Sequence, residues 1–229
     1  CRAVQELVLA FESVATLAAL AIGLAVRHGR DEVRLLALDG EDADGSFADL
    51  WARLGTDLPH GTRRFGGREV PVCLDELSGL LDRRASGEDP ARTPVLLAVN
   101  ALQRLRALRP DDDAPFASGG GEPPAERFAK LLAQGPEYGI HAAVWCDSLS
   151  GVQRSLSRRS LRDFDLRILF QMSPADSSEL IDDDAASRLG LHSAILAVLG
   201  EGRREKFRPW QTPSASFIEL IGKALRARS

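Results

Sequence analysis

Pro94-Val95-Leu96-Leu97-Ala98-Val99-Asn100-Ala101 is the stretch on which the reading of this chain turns. Five consecutive apolar residues follow a proline, with no polar alternation among them. A strand that is apolar at every position is buried on both faces, as strands inside a parallel sheet are. Outward from it the pattern recurs: Glu6 to Ala10, Val33 to Asp39, Ile140 to Trp145, Leu166 to Phe170 and Ala194 to Leu199 read as five more strands. Between them, helical spacing runs through residues 14–27, 47–54, 69–85, 101–108, 125–134, 175–181 and 217–227, while 152–162 reads as helix or loop. Six short strands alternating with helices predict an α/β fold, a doubly wound, mainly parallel sheet covered on both faces. Ligands of such sheets sit beyond the carboxyl ends of the strands. The segments just after Ala10, Asp39, Val99 and Trp145 are therefore expected to line the site.

The chain has 229 residues, 44% of them hydrophobic and 27% charged, with a formal net charge of -4. That is enough for one large domain or two small ones with a real core, and it excludes collagen, a disulfide scaffold and a disordered chain. The longest apolar run, Val14 to Val26, falls short of the roughly 18 residues a membrane span needs and reads as a buried helix. Cys1, Cys73 and Cys146 stand far apart, with no C-x-x-C pair. Neither a zinc site nor a redox motif is expected, and a reducing, cytoplasmic setting is. The chain opens on Cys1 without an initiating Met or a signal peptide. We expect residues 1–229 to be a single domain and a fragment of a larger protein. Residues 110–124, PDDDAPFASGGGEPP, are breaker-rich and expected to be a flexible insertion.

The strand ends lack what a nucleotide site needs. A phosphate cradle of the G-x-x-x-x-G-K-[ST] type wraps phosphates with glycine backbone N–H groups, reaches them with Lys and holds magnesium with a hydroxyl. Here the first strand runs into Ala10-Phe11-Glu12-Ser13-Val14-Ala15-Thr16, without Gly or Lys, and Glu12 puts negative charge where phosphate would lie. The only lysines are Lys130, Lys206 and Lys223. The third strand should end in Asp-Glu, one carboxylate for the magnesium shell and one to polarise water. It ends in Asn100-Ala101, and Ala101 can polarise nothing.

Residues 137–147, EYGIHAAVWCD, resemble the G-I-H strand and polar sensor of the FtsK/SpoIIIE branch of the FtsK–HerA superfamily of P-loop motor ATPases. Residues 148–151, SLSG, and 161–184, LRDFDLRILFQMSPADSSELIDDD, are similar to that branch's R-I-x-x-Q-x-S-x-x-D-S-x-x-I-L-D run. Residues 31–39, DEVRLLALD, resemble its second strand, and Leu58-Pro59-His60 its LPH turn. The likeness covers about residues 14–200. It implies a P-loop motor (RecA-like) fold in a ring of ATPase domains or subunits that translocates DNA. Asn100-Ala101-Leu102-Gln103 takes the place of the usual Asp-Glu-Phe-Gln, and Cys146-Asp147 that of the sensor pair. A degenerate nucleotide site is then expected near Glu12, Ser13, Thr16, Asp39 and Asp147, with no catalytic residue and no metal. ATP and magnesium are expected only at intact sister domains. The function implied is a catalytically degenerate domain of a DNA translocase, acting as scaffold or partner-recognition module. The alternatives are a degenerate module of a type VII secretion motor, with a protein as cargo, and a residual ATP-binding translocase domain.

Other features have plainer readings beside the functional ones. Asp39 reads as a solvated strand-end acid and His141 as a packed structural histidine. Asp111–Asp113 and Asp182–Asp184 read as solvated charge runs before cation sites. Arg154, Arg158, Arg159 and Arg162, with Arg167, form the densest basic stretch. It is suited to DNA phosphates or to a neighbouring subunit's nucleotide, or else is an exposed face balanced by acids. Overall acidity speaks against broad nucleic-acid coating, and Trp51, Trp145 and Trp210 are too dispersed for a stacking platform.

Overall fold

Side chains one apart on a strand point to opposite faces, so a fully apolar strand feeds two cores at once. The computed structural model, which describes residues 6–9, 14–41, 48–110 and 122–228, shows this directly. Its strands are β1 (Glu6–Leu9), β2 (Arg34–Asp39), β3 (Arg63–Gly66), β4 (Val95–Asn100), β5 (Ile140–Cys146), β6 (Leu166–Leu169), β7 (Ala194–Val198) and β8 (Arg203–Phe207). In β4, Val95, Leu97 and Val99 enter one core while Leu96 and Ala98 enter the other. The helices are α1 (Val14–Arg27), α2 (Ala48–Asp57), α3 (Val70–Ala85), α4 (Pro124–Gln134), α5 (Leu149–Ser155), α6 (Arg158–Arg162), α7 (Pro174–Ile181) and α8 (Ala215–Arg226). The first core takes residues of α3, α4, α5 and α7, the second those of α1, α2 and α8. The sheet is doubly wound, as expected.

Its order is β3-β2-β4-β5-β1-β6-β7-β8. The strands from β3 to β6 run parallel, β7 is antiparallel to both its neighbours, and β8 points the same way as β6. Two strands escaped the sequence reading, β3 and β8, for both are short, charged edges. The helix expected over 101–108 is instead two 3-10 turns, Leu102–Arg104 and Arg106–Leu108. The 152–162 stretch forms the last part of α5 and then α6, each opened by a serine cap, Ser148 and Ser157. Within the expected flexible insertion, residues 111–121 lie outside the described residues, and Pro124 opens α4. Among the described residues, no helix is long and apolar enough to cross a membrane.

Candidate functional site

The carboxyl ends of β2, β4 and β5 place Asp39, Asn100 and Cys146 along one edge of the sheet, with Asp39 and Asn100 in register. Asp39 is fully buried, which corrects its reading as a solvated acid. A carboxylate without water needs donors in its place. Three supply them: Arg64 Nε at 2.9 Å to Oδ2, Asn100 Nδ2 at 2.8 Å to Oδ1, and the Glu41 backbone N–H at 3.1 Å to Oδ1. Flipping the Asn100 amide would set oxygen against oxygen, so the Asp39 contact fixes its orientation. Its Oδ1 is left buried without a partner. Ala101 follows in a left-handed conformation, φ 54° and ψ 53°, fully buried. A Cβ on Gly40 would lie 2.5 Å from the Ala101 carbonyl oxygen, so the β2 and β4 ends meet backbone to backbone.

These groups do not fit a magnesium ion. The Asp39 carboxylate is already ion-paired to Arg64, its neighbour in register is an amide, and the next residue carries only a methyl. Among the described residues no group of three or more His, Cys, Asp or Glu stands where it could hold a metal.

At the end of β5, burial pushes the Cys146 thiol up to about 11, which keeps it protonated and unreactive near neutrality. Asp147 Oδ1 accepts from Ser148 Oγ at 2.8 Å, and Ser148 Oγ caps α5 by accepting from the Gly151 N–H at 3.2 Å. A Cβ on Gly151 would fall 2.7 Å from Cys146 Sγ, 3.1 Å from Asp147 Oδ1 and 3.2 Å from Gln103 Cβ. The structure therefore brings Asp39 to Asn100, and sets Cys146, Asp147 and Gln103 around Gly151. Thr16 stands half-buried in the first turn of α1. Glu12 and Ser13 lie outside the described residues.

Arg154, Arg158, Arg159 and Arg162 are all exposed on α5 and α6, and among the described residues none has a carboxylate within 4.0 Å. Arg167 leaves that cluster. It is buried and donates to the carbonyls of Leu161 and Leu180, tying α6 and α7 to β6. Two members of the acidic run 182–184 are engaged: Asp183 pairs with Arg204 at 2.5 Å and Asp184 with Arg188 at 2.5 Å, while Asp182 is exposed. His141 is half-buried within β5.

A feature the sequence reading missed lies on the far side of β1, at the same edge of the sheet. A cavity of about 790 Å³ opens between Ala15 of α1, the Phe170–Gln171 end of β6, Leu191 and His192, and the segment after β8 that carries Arg208 and Trp210. Leu191 is 86% exposed and Trp210 75%. The one available signal was a Trp next to Pro209, outside any periodic element.

No protein-family profile matches the chain, and no curated protein matches it. Solved structures do, and they show the fold: it is one shared with FtsK/SpoIIIE-type ATPase domains, as the resemblance implied. The chain is similar to ATPases 2 and 3 of EssC from Geobacillus thermodenitrificans at 10% identity and a TM-score of 0.73, covering 98% of this chain and 44% of that one. It is similar to ATPases 2 and 3 of EccC from Thermomonospora curvata, solved in complex with a signal sequence peptide. There the identity is 18% and the TM-score 0.70, over 97% of this chain and 42% of that one. The conjugation coupling protein TcpA of pCW3, in monomer form with ATPγS, matches at 12% identity and a TM-score of 0.67, over 100% of this chain and 66% of that one. The chain spans less than half the length of the EssC and EccC chains it matches.

Proposed function

We propose that this chain is a motor-fold domain of a multi-domain translocase that cleaves no ATP itself and serves as scaffold or partner-recognition module beside intact sister domains. The observation behind it is the strand-end cluster of Asp39, Asn100 and Arg64, with Ala101 in the next place. A motor needs a free carboxylate for its metal shell and a second acid for water. Here the remaining acid is neutralised by a guanidinium and an amide, 2.9 and 2.8 Å away. The sequence after β1 offers Glu12 and no Lys to phosphates that carry about four negative charges. Each lost charge-assisted contact costs roughly 1.5–3 kcal/mol, so affinity for Mg-ATP falls by orders of magnitude, and hydrolysis falls further. The domain works in the cytoplasm, in contact with other ATPase domains or subunits of its ring.

Two readings of the cargo remain distinct. The large, partly apolar cavity beside Trp210, and the likeness to an EccC solved with a signal sequence peptide, favour a protein. The four exposed arginines on α5 and α6, without an ion pair among the described residues, are what favours DNA. The catalytic reading is tested by equilibrium binding of a fluorescent ATP analogue with magnesium, alongside phosphate release. Micromolar affinity with turnover that dies on Thr16→Ala or Ser13→Ala would defeat it.

A further inference from the structure

We propose that the cavity beside Trp210 receives a short, extended apolar peptide segment bearing an acidic side chain, and that this is how the domain grips its cargo. The inference rests on the protein-cargo reading above and names its site and chemistry. Size comes first: about 790 Å³ holds several side chains and is within the ordinary range of ligand sites. Its walls leave Leu191 86% and Trp210 75% exposed, although Trp51 and Trp145 are buried. Large exposed apolar groups lining one cavity mark a contact surface.

Charge then selects the occupant. Arg208 and His192 line the same cavity, both exposed, and among the described residues neither has a carboxylate within 4.0 Å. An acid on the incoming segment completes them. Backbone supplies the third point. Residues 208–213 follow the edge strand β8 outside any helix or strand, and among the described residues they make no backbone hydrogen bond beyond the sheet ladder. Pro209 and Pro213 have no N–H to give, but the N–H groups of Trp210, Gln211 and Thr212 and the segment's carbonyls can pair with an extended peptide while side chains enter the cavity. The location matters as well, since Ala15 of the first turn of α1 forms one wall. The peptide thus occupies the edge of the sheet where a working motor of this fold puts its nucleotide.

The test uses the whole 229-residue chain and three dansylated hexapeptide amides: Leu-Phe-Glu-Leu-Glu-Phe, the same with both Glu replaced by Gln, and with both replaced by Lys. Trp210 is the exposed donor, so energy transfer to the dansyl group reports occupancy. The glutamate peptide is expected to saturate the signal and bind at least tenfold tighter than the glutamine form, with the lysine form weakest. Arg208→Glu inverts that order, and Leu191→Ser weakens all three, each at an unchanged melting temperature because both positions are exposed. Equal binding of the three peptides, no binding, insensitivity to Arg208→Glu, or displacement by micromolar Mg-ATP would each overturn the proposal. Phosphate release measured on the same samples keeps the two claims apart. Turnover defeats the non-catalytic reading, whereas a silent domain that ignores the peptides defeats only this one.

Discussion

Asn100 does at the end of β4 what a second carboxylate could not: it donates to Asp39 in a place without water. Asn100→Asp would put two carboxyls at hydrogen-bond distance in full burial, and one of them would have to stay protonated. Its folded pKa would rise above the unfolded value near 4. The folded state then holds a proton that the unfolded state has lost, so stability falls as pH rises above about 4 and through the folded pKa. We expect Asn100→Asp to lose about 2–4 kcal/mol at pH 8, and visibly less at pH 5, in urea unfolding. Asn100→Asp combined with Ala101→Glu restores the acid pair on paper but is expected to show no phosphate release, since the segment after β1 still lacks Lys. Cys146 carries a second residue-scale expectation. With its thiol pushed up from 9.0 to about 11, alkylation at pH 8 should run about 100-fold slower in the folded chain than in urea, as mass spectrometry can follow site by site. Raised pKa also means that this thiol favours the fold below pH 9 and ceases to between 9 and 11. That Asn100 and Ala101 stand at the end of the central strand was legible from the apolar run before them. The burial of Asp39 was not, because its partner Arg64 stands 25 residues away on a strand with no hydrophobic signature.

At the scale of elements, legibility followed burial. Strands β2, β4 and β5 feed both cores and announce themselves as apolar runs. Strand β3 (Arg63-Arg64-Phe65-Gly66) has one buried side chain, and β8 (Arg203–Phe207) has none. Charged edges resist pairing with other chains, and the same charges hide them from pattern reading. The 101–108 stretch was misread for a subtler reason. Leu102, Leu105 and Leu108 are all buried and spaced by three, which places them on one side of successive 3-10 turns as readily as on a helix. Ala101, in the left-handed region, blocks an α-helical start. Arg84 shows how the elements are tied. It is 1% exposed at the end of α3 and donates to Asp89 Oδ2 at 2.9 Å, the Tyr138 carbonyl at 2.7 Å and the Thr93 carbonyl at 2.6 Å. One guanidinium thereby joins α3 to the chain entering β4 and to the turn before β5. Arg84→Met should cost about 3 kcal/mol in chemical denaturation by leaving the two carbonyls unmet. Arg84→Lys should rescue little of it, because a single ammonium cannot reproduce the fork.

For the molecule as a whole, the proposed translocase role turns on which cargo the surface suits, and charge arithmetic bears on it. The chain carries 29 basic and 33 acidic residues, a net charge of -4. Arginines 154, 158, 159 and 162 are therefore a local patch on an acidic body, flanked by Asp163 and Asp165. Burial holds the Asp163 carboxyl above its ordinary range, and Arg159 beside it pulls the other way. Counterion release limits what such a patch can do: four phosphate contacts give a slope of log K against log salt no steeper than about -4. Non-specific binding at physiological salt ordinarily lies between about 100 and 1 µM even for dedicated DNA binders. We therefore expect a fluorescein-labelled 30-base-pair duplex to bind this chain more weakly than about 10 µM at 150 mM salt, by anisotropy. At 50 mM salt the binding that appears should vanish on Arg158→Glu with Arg159→Glu, exposed changes that leave the melting temperature in place. Submicromolar affinity at 150 mM salt, lost in that double variant, would move the cargo to DNA and leave the cavity beside Trp210 without a role in transport. Weak duplex binding together with acid-selective peptide binding would instead set the division of labour: arginines facing a neighbouring domain, and the sheet edge vacated by nucleotide gripping a protein.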